Sequence, residues 1–308
     1  MRIIVIGQAA FGAKTLEALL ERDENVVAAY TPQDGPKGRL DPLKELAVAK
    51  GIAVYQPKSY KDDQVFHNYL ALKPDLTILA FVTDIIPAKF FQAASSGSIC
   101  YHPSLLPRHR GASAINWAVI MGDTKTGLTI FWPDGGIDTG PILLQKEIPI
   151  GPDDTTGSLY FNHLFPMGIE ALLEAVALIK QGKAPRIPQD ESQATYEAPC
   201  DDRVAGMDFS KPGREVYNLV RGCDPQPGAY AVWNDDKLRF YSAKFIEEQS
   251  SAAPGTVANV NAEGISVAVK GGAILAGKVR SSKTPKVSGL EFAEQQGLKV
   301  GDLLKSGT

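Results

Sequence analysis

The sequence predicts an α/β protein: a doubly wound, mostly parallel sheet followed by a small β-barrel. Three observations lead there. Continuous apolar, β-branched runs such as Ile3–Ile6 and Leu76–Phe81 have the character of strands buried on both faces. Segments with apolar residues at helical spacing alternate with these runs, the order expected of βαβ units. Beyond Asp202 the signal changes to short alternating stretches divided by Gly and Asn, as in a small barrel. A chain of 308 residues has room for two ordinary domains.

The first strand, Arg2–Gly7, runs into a helix over Ala9–Arg22, where Phe11, Leu16, Leu19 and Leu20 share a face. Gly7 and Gly12 sit at the turn between them. The full three-glycine fingerprint is missing, and no acidic residue ends the next strand, so the turn reads as tight packing rather than a nucleotide site. Asn25–Thr31 is a second strand, and Pro32–Asp41 is a loop. Asp41 caps a helix over Leu43–Lys50 with Pro42 in its first turn. Ile52–Tyr55, Leu76–Phe81 and Ile99–His102 are further strands, with a helix over Val65–Leu72. Ala112–Met121 reads as a helix, and Gly127–Trp132 and Ile142–Ile148 as strands. Thr155 and Thr156 begin a helix pair that reaches Gly182 and is broken at Pro166.

Residues 1–184 are expected to form the first domain, 185–205 a proline-bearing linker, and 206–308 the second domain. The second domain opens with a helix over Gly213–Arg221. Strands follow over Ala229–Trp233, Leu238–Phe245, Gly255–Val260, Ile265–Val269 and Ala273–Val279, then a helix over Gly289–Gly297.

Composition narrows the function. Hydrophobic residues at 44% and charged residues at 22% fit a soluble globular chain. No run reaches the ~20 apolar residues of a membrane span, so no membrane partner is expected. The first residues lead into a glycine turn and carry no cleavage-site pattern. Cys100, Cys200 and Cys223 are too few and scattered for a disulfide framework or a zinc site, which makes a reducing cytoplasm the expected location and metal binding unexpected. The net charge is −3, and residues 206–308 hold 13 Lys+Arg against 11 Asp+Glu. So slight a basic excess disfavours a large nucleic-acid footprint, and tRNA is a disfavoured partner.

Two stretches carry the chemistry. Tyr101-His102-Pro103-Ser104-Leu105-Leu106-Pro107-Arg108-His109-Arg110-Gly111 puts a histidine at a strand end and opens it onto a loop, where open α/β sheets hold reactive groups. Asp134-Gly135-Gly136-Ile137-Asp138-Thr139-Gly140 supplies a carboxylate. Histidine can move a proton near neutral pH, and a carboxylate can orient the ring or an attacking water. A lone histidine in a loop is more often a satisfied structural residue, and the second stretch shifts that balance.

His-Pro-Ser-Leu-Leu-Pro-x-x-Arg-Gly, followed by Ile137-Asp138-Thr139-Gly140, resembles the 10-formyltetrahydrofolate-dependent formyltransferase family. The longer run to Trp117 and the opening Val5-Ile6-Gly7-Gln8 are similar to the amino-terminal hydrolase domain of 10-formyltetrahydrofolate dehydrogenase. More distantly, the chain is similar to methionyl-tRNA formyltransferase. The resemblance implies a Rossmann-like catalytic domain, an OB-like second domain, and removal of the formyl group of 10-formyltetrahydrofolate to water or a small acceptor. The enzymatic alternatives are a methionyl-tRNA formyltransferase and an amine or amino-sugar formyltransferase, and a folate-binding protein without catalysis is the non-enzymatic alternative.

The resemblance also implies that the two loops meet, with His102 and Asp138 catalytic. It assigns the folate to the loop of Asp84, Ile85 and Ile86, to Ser104, Leu105, Leu106 and Pro107, and to Gly135, Gly136 and Ile137, with Phe81 beneath the ring. The plain alternative for Phe81 and Ile85 is core packing. True formyltransferases carry asparagine two residues before the histidine. Here that residue is Cys100, an auxiliary group at most, and its plain reading is a small buried hydrophobe. Arg108, His109 and Arg110 form a basic cluster that could meet an anion, or could be a solvated turn.

Overall fold

The computed structural model describes residues 1–247 and 252–307. The elements run β1 (Arg2–Gly7), α1 (Ala9–Leu20), β2 (Asn25–Tyr30), α2 (Pro42–Ala49), β3 (Ala53–Tyr55), α3 (Asp63–Ala71), β4 (Leu76–Ala80), α4 (Ala88–Ala93), β5 (Ser98–His102), α5 (Ala114–Ile120), β6 (Lys125–Phe131), β7 (Ile142–Pro149), α6 (Thr156–Leu159) and α7 (Phe165–Lys180). The second half holds α8 (Gly213–Gly222), β8 (Tyr230–Trp233), β9 (Asp236–Ile246), β10 (Val257–Asn261), β11 (Gly264–Val269), β12 (Gly272–Arg280), β13 (Val287–Ser288) and α9 (Gly289–Gln296). α4 went unread in the sequence, since six residues behind Pro87 are too few to show a period. The break between α6 and α7 is one π-helical turn, Tyr160–Leu164, with Pro166 in the first turn of α7. The run Thr156–Lys180 is long and apolar enough, by length and composition, to cross a membrane. Within α7, Ala171, Leu172, Ala175 and Val176 are core residues, which accounts for that apolar character.

The chain resolves into two compact units that do not follow the expected boundaries. One gathers Met1–Arg110, Gly127–Glu147 and His163–Tyr196; the other gathers Gly111–Thr126, Ile148–Asn162 and Glu197–Thr308. α5 and α6 therefore belong with the second half of the sequence. Most of the stretch expected as a linker belongs with the first.

In the first unit a seven-stranded sheet has the order β3-β2-β1-β4-β5-β6-β7. β1 to β5 run parallel and β6 runs antiparallel to β5, so the mostly parallel sheet is as read. Strand order reverses between β1 and β4, and the crevice beyond their carboxyl ends is where such sheets accept ligands. Gly7 ends β1 there, and a Cβ on it would lie 2.3 Å from the Ala80 carbonyl oxygen, so close approach of β1 to β4 requires glycine.

The turn into α1 is closed by the protein itself. The Asp41 carboxylate accepts the Ala9 N–H at 2.8 Å and the Leu43 N–H at 2.9 Å, so one side chain caps α2 and covers the start of α1. That supports the packing interpretation of the glycine turn. Beneath the loop after β4, Tyr30, Tyr60, Tyr69, Ile86 and Phe90 form a packed cluster with Ile4, Ile6 and Leu79.

In the second unit an antiparallel sheet has the order β10-β11-β12-β9-β8, with β13 pairing β12. Leu303 bridges to Thr256 beside β10 and Lys305 bridges to Val232 of β8, so the final segment joins both edges and curls the sheet. Its core includes Tyr217, Val220, Phe240, Ile265, Ile274 and Phe292.

Replacing Asp41 with Ala should remove both capped N–H groups at once. Caps of this kind are worth roughly 0.5–2 kcal/mol, and the expected loss is about 1–2 kcal/mol with an unchanged denaturant slope. Urea unfolding checks this; an unchanged midpoint would mean that water replaces the carboxylate at no cost.

Candidate active site

His102 is the last residue of β5, in the interior of the sheet, so its backbone is fixed by pairing to Thr129 of β6. Its Nε2 lies 2.7 Å from the His109 carbonyl oxygen. A carbonyl only accepts, so Nε2 carries the proton and Nδ1 is the nitrogen left to act. Nδ1 faces Asp138 Oδ2 at 3.5 Å. With the proton on Nε2, Nδ1 has no hydrogen to give the carboxylate; it can accept a proton, and the imidazolium then formed would donate to Asp138. The two expected loops therefore do meet, within one unit. His102 is almost wholly buried, and the Asp138 side chain is 18% exposed, enough to face a ligand.

The loop between His102 and Arg110 is held from inside. The Ser104 hydroxyl donates to the Arg108 carbonyl at 2.6 Å, with the His109 carbonyl at 3.4 Å. Thr129 Oγ1 donates to the Ser104 carbonyl and accepts the Leu106 N–H, while Gln145 Nε2 donates to the Leu106 carbonyl. Ser104 and Leu106, expected to meet substrate, are thus buried and engaged in holding the loop. Leu105 and Pro107 are half-buried and remain accessible.

The apolar rim also divides. Ile86 is buried in the aromatic cluster beneath its loop, so only main chain could present it to a ligand. Asp84 is exposed, Ile85 is 84% exposed, Ile137 65% and Phe81 45%, which excludes core packing for these three apolar side chains. Gly135 is open. Gly136 is required by its own loop, since a Cβ there would lie 2.1 Å from Thr139 Oγ1.

Phe81, His109 and Asp138 all take left-handed backbone, with φ of 62°, 54° and 56°. Each such residue costs of order 1–3 kcal/mol and persists only where its surroundings hold it. Asp134 braces the aspartate loop, its Oδ1 accepting the Gly136 N–H at 3.0 Å and the Thr139 hydroxyl at 2.6 Å.

Cys100 lies near this pair. Burial, and then the charge of Asp138, push its thiol well above the ordinary range. It is held as a thiol, a weak donor and not a nucleophile. Arg110 is not an anion receptor: its buried guanidinium donates to Gln189, Glu191 and Tyr196, and hydrogen bonding to Glu191 is the main cause raising its pKa. His109 is buried too, which leaves Arg108 as the exposed member of the expected basic cluster.

The residues missed in the sequence lie in 185–196. Arg186 stacks on Trp132, whose Nε1 donates to the Pro185 carbonyl. Ile187 exchanges both backbone hydrogen bonds with Ile142. Gln189 Nε2 donates to the Asp138 and Gly140 carbonyls. Thr195 Oγ1 accepts the His109 N–H, and its carbonyl accepts the Arg110 N–H. The segment is a strap across both loops. Pro185 and Pro188, which suggested a linker, instead fix the extended form in which it lies. Among the described residues no group of three or more His, Cys, Asp or Glu is placed to hold a metal.

Residues 1–176 match the family model described as formyl transferase, and residues 202–297 match the formyl transferase C-terminal domain. The mitochondrial 10-formyltetrahydrofolate dehydrogenase of Mus musculus is 38% identical over the whole of this chain, which spans 33% of that protein. The methionyl-tRNA formyltransferase of Clostridioides difficile is 31% identical over the whole chain and 97% of its own length. Among solved structures, HypX from Aquifex aeolicus in complex with tetrahydrofolic acid aligns with a TM-score of 0.71 at 20% identity, over 97% of this chain and 48% of that one, a likeness of fold.

The thiol environments make a labelling prediction. Cys200 is held below the usual thiol range, chiefly by a hydrogen bond from Cys223. At pH 8, iodoacetamide should label Cys200 ahead of Cys100. Asp138→Asn removes only the lesser cause and leaves burial in place, so Cys100 should stay slower than Cys200 in that variant too. Peptide mass spectrometry reads both, and equal rates in wild type would contradict the placement of Cys100.

Proposed function

We propose, from the premise that the chain belongs to the formyl transferase family, that it removes the formyl group of 10-formyltetrahydrofolate and releases tetrahydrofolate, with water as the preferred acceptor. The observation carrying this reading is the His102–Asp138 pair, 3.5 Å apart, with exposed apolar Ile137 beside Asp138 in its loop and exposed Phe81 and Ile85 on the loop that follows β4. In the proposed reaction a water oxygen attacks the formyl carbon, the carbon–nitrogen bond breaks, the nitrogen takes a proton, and formate leaves. Asp138 orients the water and pairs with the imidazolium once it forms, while His102 carries the proton through Nδ1, the nitrogen that the His109 carbonyl does not hold. The imidazolium so formed stabilises the oxyanion. Phe81, Leu105, Pro107, Gly135 and Ile137 are the proposed folate contacts, with main chain at Asp84 and Ile86. A reducing cytoplasm is the proposed setting.

Cys100 favours water over an amine acceptor in this reading, since a thiol is a weak substitute for an amide donor at the oxyanion. The chain spans about a third of the length of the dehydrogenases it matches. Formyl transfer to charged initiator tRNA is the second reading, favoured by the match along nearly all of the Clostridioides difficile protein.

Formate release from 10-formyltetrahydrofolate, measured with and without a small amine and charged initiator tRNA, separates these readings. Formylated tRNA at a rate above formate release would overturn the first. His102→Ala and Asp138→Ala should each reduce turnover ~10²–10⁴-fold, the usual worth of a positioned acid–base group, while folate binding persists. Near-normal turnover in either variant would remove that residue from the mechanism.

A further inference from the structure

We infer that Gln189, oriented by Arg110, is a positioning residue for Asp138. It fixes the main chain on either side of Thr139 and so sets where the Asp138 carboxylate stands before His102. The inference rests on the reading of His102 and Asp138 as the reacting pair, and adds to it a residue outside both loops.

The Gln189 amide is used on both sides. Its Nε2 donates to the Asp138 carbonyl at 2.8 Å and the Gly140 carbonyl at 2.7 Å. Its Oε1 accepts from Arg110 Nε at 3.1 Å and Nη2 at 2.7 Å. A guanidinium only donates and a carbonyl only accepts, so the amide can stand only one way round. Arg110 is in turn fixed: the Glu191 carboxylate takes Nη1 and Nη2 at 2.9 and 2.6 Å, and the Tyr196 hydroxyl takes Nη1 at 2.7 Å. The chain of contacts thus begins on the histidine loop, passes through Arg110 and Gln189, and ends on the aspartate loop.

The geometry needs such a hold. Asp138 stands in left-handed backbone, and its carboxylate is already 3.5 Å from Nδ1. Asp134 grips residues 136 and 139 of the same loop, and Gln189 grips 138 and 140. With the second grip removed, the Asp138 and Gly140 carbonyls lose the donor that ties them to Arg110 and the histidine loop. A displacement of ~1 Å in a reacting group can cost ~10²-fold in rate.

Gln189→Glu tests this in the full chain. It keeps the side-chain length and the acceptor for Arg110, but turns a carboxylate oxygen toward two carbonyls in place of the donor. The expected result is a kcat lowered ~10–100-fold with KM for 10-formyltetrahydrofolate within about threefold. Binding of 5-formyltetrahydrofolate should keep wild-type stoichiometry per chain, and the melting temperature should stay within a few degrees. A merely structural role would lower stoichiometry and melting temperature together and leave kcat per binding site intact. Gln189→Asn, which keeps the amide one methylene short, should show the same split and serves if Gln189→Glu is unstable. Asp138→Asn is measured alongside. If Asp138→Asn is inactive and both Gln189 variants turn over at wild-type rate per binding site, the positioning role is overturned alone. If Asp138→Asn is active, the reading of the reacting pair fails, and the positioning role fails with it.

Discussion

The hydrogen bond from His102 Nε2 to the His109 carbonyl is the constraint on which the site depends. It commits one ring nitrogen to the main chain and leaves the other facing Asp138. To deliver that carbonyl the loop must turn back beneath the ring within seven residues, which places His109 in left-handed backbone and draws Ser104 inward as an internal brace. Arg110, the next residue, is carried into the interior by the same turn. A basic cluster thereby becomes a buried anchor. Its burial is tolerable because the guanidinium meets a carboxylate, an amide and a hydroxyl with complementary acceptors.

The aspartate side of the site is less well supported by regular structure. It is a loop between β6 and β7 with a non-glycine residue in left-handed backbone at its working position. What a sheet does for His102, hydrogen bonds from outside the loop do for Asp138. Unpaired, the loop's carbonyls would be free to rotate, and the left-handed residue would relax toward ordinary backbone. Precision here comes from side-chain amides rather than from strand pairing.

Much of this was legible in the sequence. The strands of the sheet were visible, those buried on both faces, such as β1, as continuous apolar runs like Ile3–Ile6. The loop carrying His102 was visible because two prolines bound it; the glycine-rich stretch offered both Asp134 and Asp138, and the family resemblance singled out Asp138. Local patterns failed where the structure is set by contacts distant in sequence. Ser104 and Leu106 looked like ligand contacts, and their part in bracing the loop went unseen, since nothing local announces that Thr129 and Gln145 meet them. Gln189 sits among prolines in a stretch with no period, and only its partners, some 50 and 80 residues earlier, give it meaning. Arg110 carried an ambiguous signal: a charged residue in a turn is usually solvated, and its burial depends on Glu191.

The strap also bears on how such a chain can be recombined. The two family-model matches leave residues 177–201 between them, and this proline-bearing interval looks like the natural seam for joining halves of related proteins. A crossover at residue 184 would unite one parent's aspartate loop with the other parent's strap, so that the amide facing the Asp138 carbonyl and the guanidinium behind it come from different ancestors. A crossover after Tyr196 keeps the grip and both loops from one parent. The seam that inherits the site intact therefore lies a dozen residues beyond the one that composition suggests.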